Sequence, residues 1–248
     1  MLNDKRINWL SVFIYSILAI LISAPFHLNI FHWNEQLNEI TNFEKIKFIL
    51  EGIGPIVGGF ICLFAFKNSH HRVITLFGKK PLLSLLAILT PVLVGAIVGI
   101  KMASFSSRHY AGIYVVIYTL FYCFFEEFGW RGFLQDALRS LSNLWKYLII
   151  GSIWYVWHLS FLHSSTSILN ELIFLVILIL SSWGIGVVAD ATKSILIVTV
   201  LHFLVNILFL NSLFKEDFSS RLIIVGISFI FLFIIMKKSG KEIDKAVA

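Results

Sequence analysis

Apolar residues in this chain gather in blocks of about 20, the length a helix needs to cross the ~30 Å hydrocarbon core of a bilayer. Eight such blocks stand out, at about 9–28, 46–66, 82–100, 111–135, 145–162, 169–188, 194–211 and 221–236. The fourth is the least hydrophobic at one end, and the fifth and seventh carry histidines. The pattern predicts an all-α protein, a polytopic transmembrane helical bundle of about eight spans. No repeat of fixed period, low-complexity segment or long linker interrupts it, so one integral membrane domain over 1–248 is the economical reading. The first block, from Trp9 to about Phe26, follows Lys5-Arg6 as a signal peptide would. It is longer than a usual signal core, and Ser23-Ala24-Pro25 is a poor cleavage site, so an uncleaved first helix is expected. In the second block Gly52-Ile-Gly54-Pro55, after Glu51, marks a break or kink.

Composition strengthens this reading. The 248 residues are 58% hydrophobic and only 14% charged, with 24 Phe, and a soluble domain of this size needs more polar surface. The net charge of +6 raises nucleic acid as a partner, but the basic residues sit in short tracts between apolar blocks, as orienting charges do in membrane proteins. No nucleic-acid function is expected; the lipid bilayer is. With the N-terminus inside, Lys5, Arg6, Lys67, Arg72, Lys79, Lys80, Arg139, Lys146, Lys193, Lys237, Lys238, Lys241 and Lys245 fall in the cytoplasm. Lys45, Lys47, Lys101, Arg108, Lys215 and Arg221 fall on the other side, and Arg131 lies within the membrane. This bias predicts a multi-pass cell-membrane protein with both termini cytoplasmic. The Ile-, Phe- and Lys-rich composition points to a bacterial source. Cys62 and Cys123 both lie inside apolar blocks and imply no disulfide framework, and the C-terminal Asp244–Ala248 holds no prenylation cysteine.

The candidate chemistry lies in the fourth block, Phe121-Tyr-Cys-Phe-Phe-Glu126-Glu127-Phe-Gly-Trp-Arg131-Gly-Phe. Three unpaired central charges would cost about 8–10 kcal/mol, against about 3–5 kcal/mol returned by the strongest apolar residues of the same segment. Internal partners or a polar cavity are therefore required. Glu127 and Arg131, four residues apart, share a helix face and can pair, while Glu126 is rotated by about 100° and faces another helix. Adjacent carboxylates repel, so the one without the arginine is the better proton acceptor and suits a general base. A local Glu-Arg staple at the helix end would explain the pair alone.

Two other spans carry polar residues. In Trp154-Tyr-Val-Trp157-His158 of the fifth, Trp154 and His158 share a face; a histidine beside tryptophans is also a common packing residue. In the seventh, His202 and Asn206 share a face and can direct two donors at one point, as an oxyanion site needs, or act as interhelical polar glue. At 1.5 Å per residue from the cytoplasmic ends, Glu126 lies ~15 Å deep, His158 ~18 Å and His202 ~12 Å. Independent packing residues had no reason to agree in depth, so they read as one site. His70 and His71 in a basic loop, and His27, His32, His109 and His163 near span ends, take interfacial or solvated roles, as do Glu171 and Asp190.

Glu-Glu-x-x-x-Arg, an aromatic-x-x-x-His segment and His-x-x-x-Asn, in this order on spans 4, 5 and 7, resemble the CAAX protease and bacteriocin-processing (CPBP, or Abi) family of intramembrane glutamic endopeptidases. The resemblance covers about residues 120–210, with the earlier spans similar only in hydropathy. Trp154 stands where the family usually has phenylalanine. It implies that Glu126 and His158 activate a water for attack on a peptide carbonyl, that His202 and Asn206 hold the oxyanion, and that Glu127 and Arg131 shape the site. No cofactor or metal is implied, and the implied partner is a membrane-associated peptide or protein substrate.

Other readings stay open. Glu126, His158 and His202 have the residue types of a zinc site, though no His-Glu-x-x-His is present. An intact motif also suits a non-proteolytic immunity or scaffold protein. A transporter or a bis-histidine haem protein is further removed, and no related halves are visible. The identity of the substrate, prenylated or not, and the oligomeric state are not encoded in any motif.

Overall fold

The computed structural model describes residues 7–30, 49–68, 72–103, 105–162, 166–210 and 217–239. His32, His70, His71 and His163, basic residues such as Lys5, Arg6, Lys45, Lys47, Lys215, Lys241 and Lys245, and the C-terminal 244–248 lie outside them. Among the described residues the regular elements are helices: α1 (Trp9–His27), α2 (Ile53–Ala65), α3 (Pro81–Val98), α4 (Arg108–Gly129), α5 (Asn143–His158), α6 (Ile168–Thr192), α7 (Ile195–Val205) and α8 (Phe218–Ser239). A π-helical turn, Trp130–Gln135, continues α4, and another, Asn206–Leu210, continues α7. Each expected span has its helix.

Among the described residues, five stretches are long and apolar enough to cross a membrane: Trp9–His27, Pro81–Val98, Arg108–Gln135, Ile168–Thr192 and Phe218–Lys238. Ile49–Ala65 and Ile195–Leu208 are shorter apolar helices. α5, with 16 residues, reaches about 24 Å at 1.5 Å per residue.

Polarity is distributed inside out. Phe13, Leu21, Phe64, Leu93, Ile97, Leu180 and Phe233 are exposed, whereas Glu126, Glu127, Arg131, Gln135, His202 and Asn206 are buried. Water would penalise such an arrangement. In lipid it is the favourable one, because apolar side chains face hydrocarbon and polar groups find partners inside. The chain is a polytopic helical membrane protein.

The helices fall into two compact units. The first comprises Met1–Ile74 and Phe125–Gly186, and the second Thr75–Phe124 and Val187–Ala248. In the first, α1 packs on α2 and α5, and the π-turn Trp130–Gln135 packs on α2 and α5. The Gly52–Pro55 break anticipated from sequence serves close approach. A Cβ at Gly54 would collide with the Ala19 carbonyl and the Ser23 hydroxyl, while Ser23 Oγ donates to the Glu51 carbonyl at 2.6 Å and accepts from Gly54 N at 3.2 Å. Asp136, one residue past the π-turn, accepts from the backbone N–H groups of Val73 (2.6 Å) and Ile74 (2.9 Å).

In the second unit α3 packs on α7 and α8, and α8 on α7. Ser194 caps α7 by accepting from Ile197 N at 3.3 Å. The chain before α3 pairs with this cap: Thr75 N donates to Lys193 O at 2.9 Å, and Ile195 N to Thr75 O at 3.0 Å.

Candidate active site

The first unit holds Glu126, Glu127, Arg131 and His158. Near its C-terminal end α4 meets α1 and α2 so closely that only glycine fits at 129. A Cβ there would strike the Tyr15 hydroxyl and the Pro55 carbonyl. Immediately afterwards the backbone loosens into the π-turn, a distortion often found at functional sites. Glu126 and Glu127 thus sit on the last α-helical turn, and Arg131 on the π-turn.

The two carboxylates take separate partners. Arg131 Nη1 lies 2.9 Å from Glu127 Oε1, both side chains fully buried, and its guanidinium rests 5.0 Å from the Trp154 ring centroid. Charge neutralisation plus a cation–π contact is how a buried arginine becomes tolerable. Glu126 Oε2 accepts two indole N–H groups, from Trp154 on α5 at 2.7 Å and from Trp130 at 3.2 Å. Two donors on one oxygen fix the plane of this carboxylate while adding no formal charge.

His158 ends α5. The helix stops there because Leu159 turns left-handed, at φ 52°, with its N–H closing on the Val156 carbonyl at 3.2 Å. A branched residue in this conformation costs about 1–2 kcal/mol. The His158 ring stacks on Trp154 (6.3 Å, 24°) and lies 4.7 Å from the Trp157 centroid and 5.1 Å from Phe174.

Spacing along the chain did not single out several neighbours. Trp130 donates to Glu126, four residues earlier, and the i,i+4 relation was available to show it. Tyr15 packs edge-on against Trp130 (5.6 Å) and beside Phe133 (5.0 Å). His27, in the last turn of α1, stands edge-on to Trp157 (4.7 Å) and 6.1 Å from His158. Its position at a span end was legible; its rings of contact belong to another helix and were not.

His202 and Asn206 belong to the second unit, both buried, one turn apart at the C-terminal end of α7. The N–H of Asn206 reaches the carbonyls of His202 and Phe203, and its side-chain Nδ2 donates to Cys123 Sγ at 3.3 Å. Among the described residues no three His, Cys, Asp or Glu side chains are grouped so as to hold a metal ion.

Residues 108–208, from the start of α4 into the π-turn after α7, match the family model described as Rce1-like, type II CAAX prenyl endopeptidase Rce1-like. Over this stretch the chain is similar to that family, in line with the resemblance its motifs carry. The match includes Glu126, Glu127, Arg131, His158, His202 and Asn206, and leaves α1 to α3 outside. Among curated relatives, the "CAAX prenyl protease 2" of Methanococcus maripaludis is 33% identical over 94 residues, which are 34% of this chain and 35% of that relative. The chain therefore spans about a third of the length of the relative it matches.

Proposed function

We propose that this chain is a CPBP family member and an intramembrane endopeptidase, hydrolysing a peptide bond of a membrane-associated peptide or protein in the cytoplasmic half of a bacterial cell membrane. The observation that carries the reading is the division of labour between adjacent carboxylates. Glu127 is committed to Arg131 at 2.9 Å, while Glu126 is a buried carboxylate bound by neutral indole donors. Two indole donors on one oxygen hold the carboxylate in a fixed orientation, as a general base requires.

In the proposed reaction Glu126, with His158, takes a proton from water as the oxygen attacks the scissile carbonyl. His202 and Asn206 donate to the oxyanion of the tetrahedral intermediate. The proton held by the Glu126–His158 pair then passes to the departing amine as the C–N bond breaks. Glu127 and Arg131 shape the site.

Comparing small membrane peptides that accumulate in a Glu126→Ala strain identifies the substrate, which is then presented to purified protein in detergent. Glu126→Gln is expected to lose cleavage by at least about 10²-fold, the lower range for acid–base groups, while inserting normally. Cleavage by Glu126→Gln at the wild-type rate overturns the assignment. Activity that survives a chelator separates this mechanism from a zinc peptidase using the same residues.

A further inference from the structure

A second acidic centre in the first unit stands outside the proposed machinery. Glu171, in the first turn of α6, accepts on Oε2 from the Tyr155 hydroxyl (2.8 Å) and from Ser160 Oγ (2.6 Å). Among the described residues no lysine or arginine pairs with it. The carboxylate lines a cavity of about 320 Å³ whose walls include Tyr155, Phe161, Leu172 and Leu175. The Tyr155 and Phe161 rings lie 5.9 Å apart, and Phe174 connects the region to the proposed site, 6.2 Å from Tyr155 and 5.1 Å from His158.

These features select a ligand chemistry. Two hydroxyl donors on one oxygen hold the carboxylate in place without cancelling its charge. An anion would be repelled, and a neutral group would leave the charge uncompensated. A compact cation on an apolar stem satisfies every wall: its charge meets Glu171, its stem lies on Leu172 and Leu175, and the aromatic faces add cation–π attraction. A hydroxyl-bonding staple between α5 and α6 would need only an amide acceptor at 171, and no cavity.

We propose that this cavity is a subsite for a primary alkylammonium group. Two sources offer one: a lysine side chain or terminal amine of the peptide substrate, and the ethanolamine headgroup of a bilayer lipid. That the group belongs to the substrate rests on the proteolytic reading; that the cavity binds it does not.

Binding is therefore measured without turnover, on the full chain in non-ionic detergent, with n-hexylammonium as probe and 1-hexanol as its neutral counterpart. Hexylammonium is expected to raise the thermal unfolding midpoint saturably where hexanol does not. Glu171→Gln, which keeps an acceptor for both hydroxyls, loses the response. Leu175→Trp, which fills the cavity and leaves the carboxylate, loses it too, and serves if the Gln variant fails to fold. No shift in the wild type, or an equal shift in wild type and both variants, overturns the proposal. For the source, cleaved peptides carrying lysine are compared with norleucine analogues. A kcat/KM preference for lysine of roughly tenfold, abolished by Glu171→Gln, assigns the group to substrate. Loss of the hexylammonium response in vesicles containing phosphatidylethanolamine, but not in phosphatidylcholine alone, assigns it to lipid. Either result upholds the subsite.

Discussion

Glu126 and Glu127 are neighbours in sequence, yet one receives a guanidinium and the other two indoles. Trp154 stands at the centre of both arrangements: its Nε1 donates to Glu126 at 2.7 Å while its face carries Arg131 at 5.0 Å. Tryptophan supplies an in-plane donor that phenylalanine at this position lacks. Hydrogen bonds to charged groups contribute about 1.5–3 kcal/mol. Trp154→Phe keeps a face for Arg131 and removes the donor, so kcat is expected to fall by roughly 10- to 100-fold with KM little changed. Steady-state rates on a cleaved peptide check this, and a change confined to KM would assign Trp154 to substrate binding instead.

At the scale of elements, the sequence was legible wherever periodicity or spacing carries the information. The eight apolar blocks became helices because backbone groups in lipid must be satisfied within the segment, and block length alone reveals that. The Glu127–Arg131 pair followed from i,i+4 geometry. The π-turn at Trp130–Gln135 did not, because an extra residue in one turn leaves no mark on hydropathy. Nor did the contacts of His27 and Tyr15, which depend on where α1 packs. The same limit applies at Asp217, just before α8. Burial there raises its carboxyl, but donors from Lys101 N, Ser220 Oγ and Ser220 N, with the Arg108 charge nearby, outweigh that and hold it below the usual carboxylate value. A depressed folded-state pKa gives stability that is present above the unfolded value, near 3.8, and lost as pH falls through the lower folded one. The Lys101 amide, which donates to Asp217 at 2.9 Å, is expected to stay protected from hydrogen exchange down to about pH 4 and to lose protection below it. In Asp217→Asn that acid-dependent step should vanish.

At the scale of the molecule, the helices and the inside-out polarity of the described residues give a surface suited to lipid. The topology we propose has eight crossings with both termini on the cytoplasmic side, where it places the larger share of the basic residues. Reporter fusions at either end are expected to behave as cytoplasmic. An alkaline phosphatase inserted between α3 and α4, after Lys101, is expected to be active, and activity from a C-terminal phosphatase fusion would refute the eight-crossing topology.

The π-turn after Gly129 also acts as a phase shifter. Ordinary α-helical winding would carry Asp136 about 100° away from its present direction relative to Glu126. The one surplus residue lets the helix present Glu126 to Trp154 and still deliver Asp136 to the amides of Val73 and Ile74. Two anchorages that a regular helix would put out of register are thereby satisfied together. Loss of a single residue between 130 and 135 would regularise the winding and set one anchorage against the other.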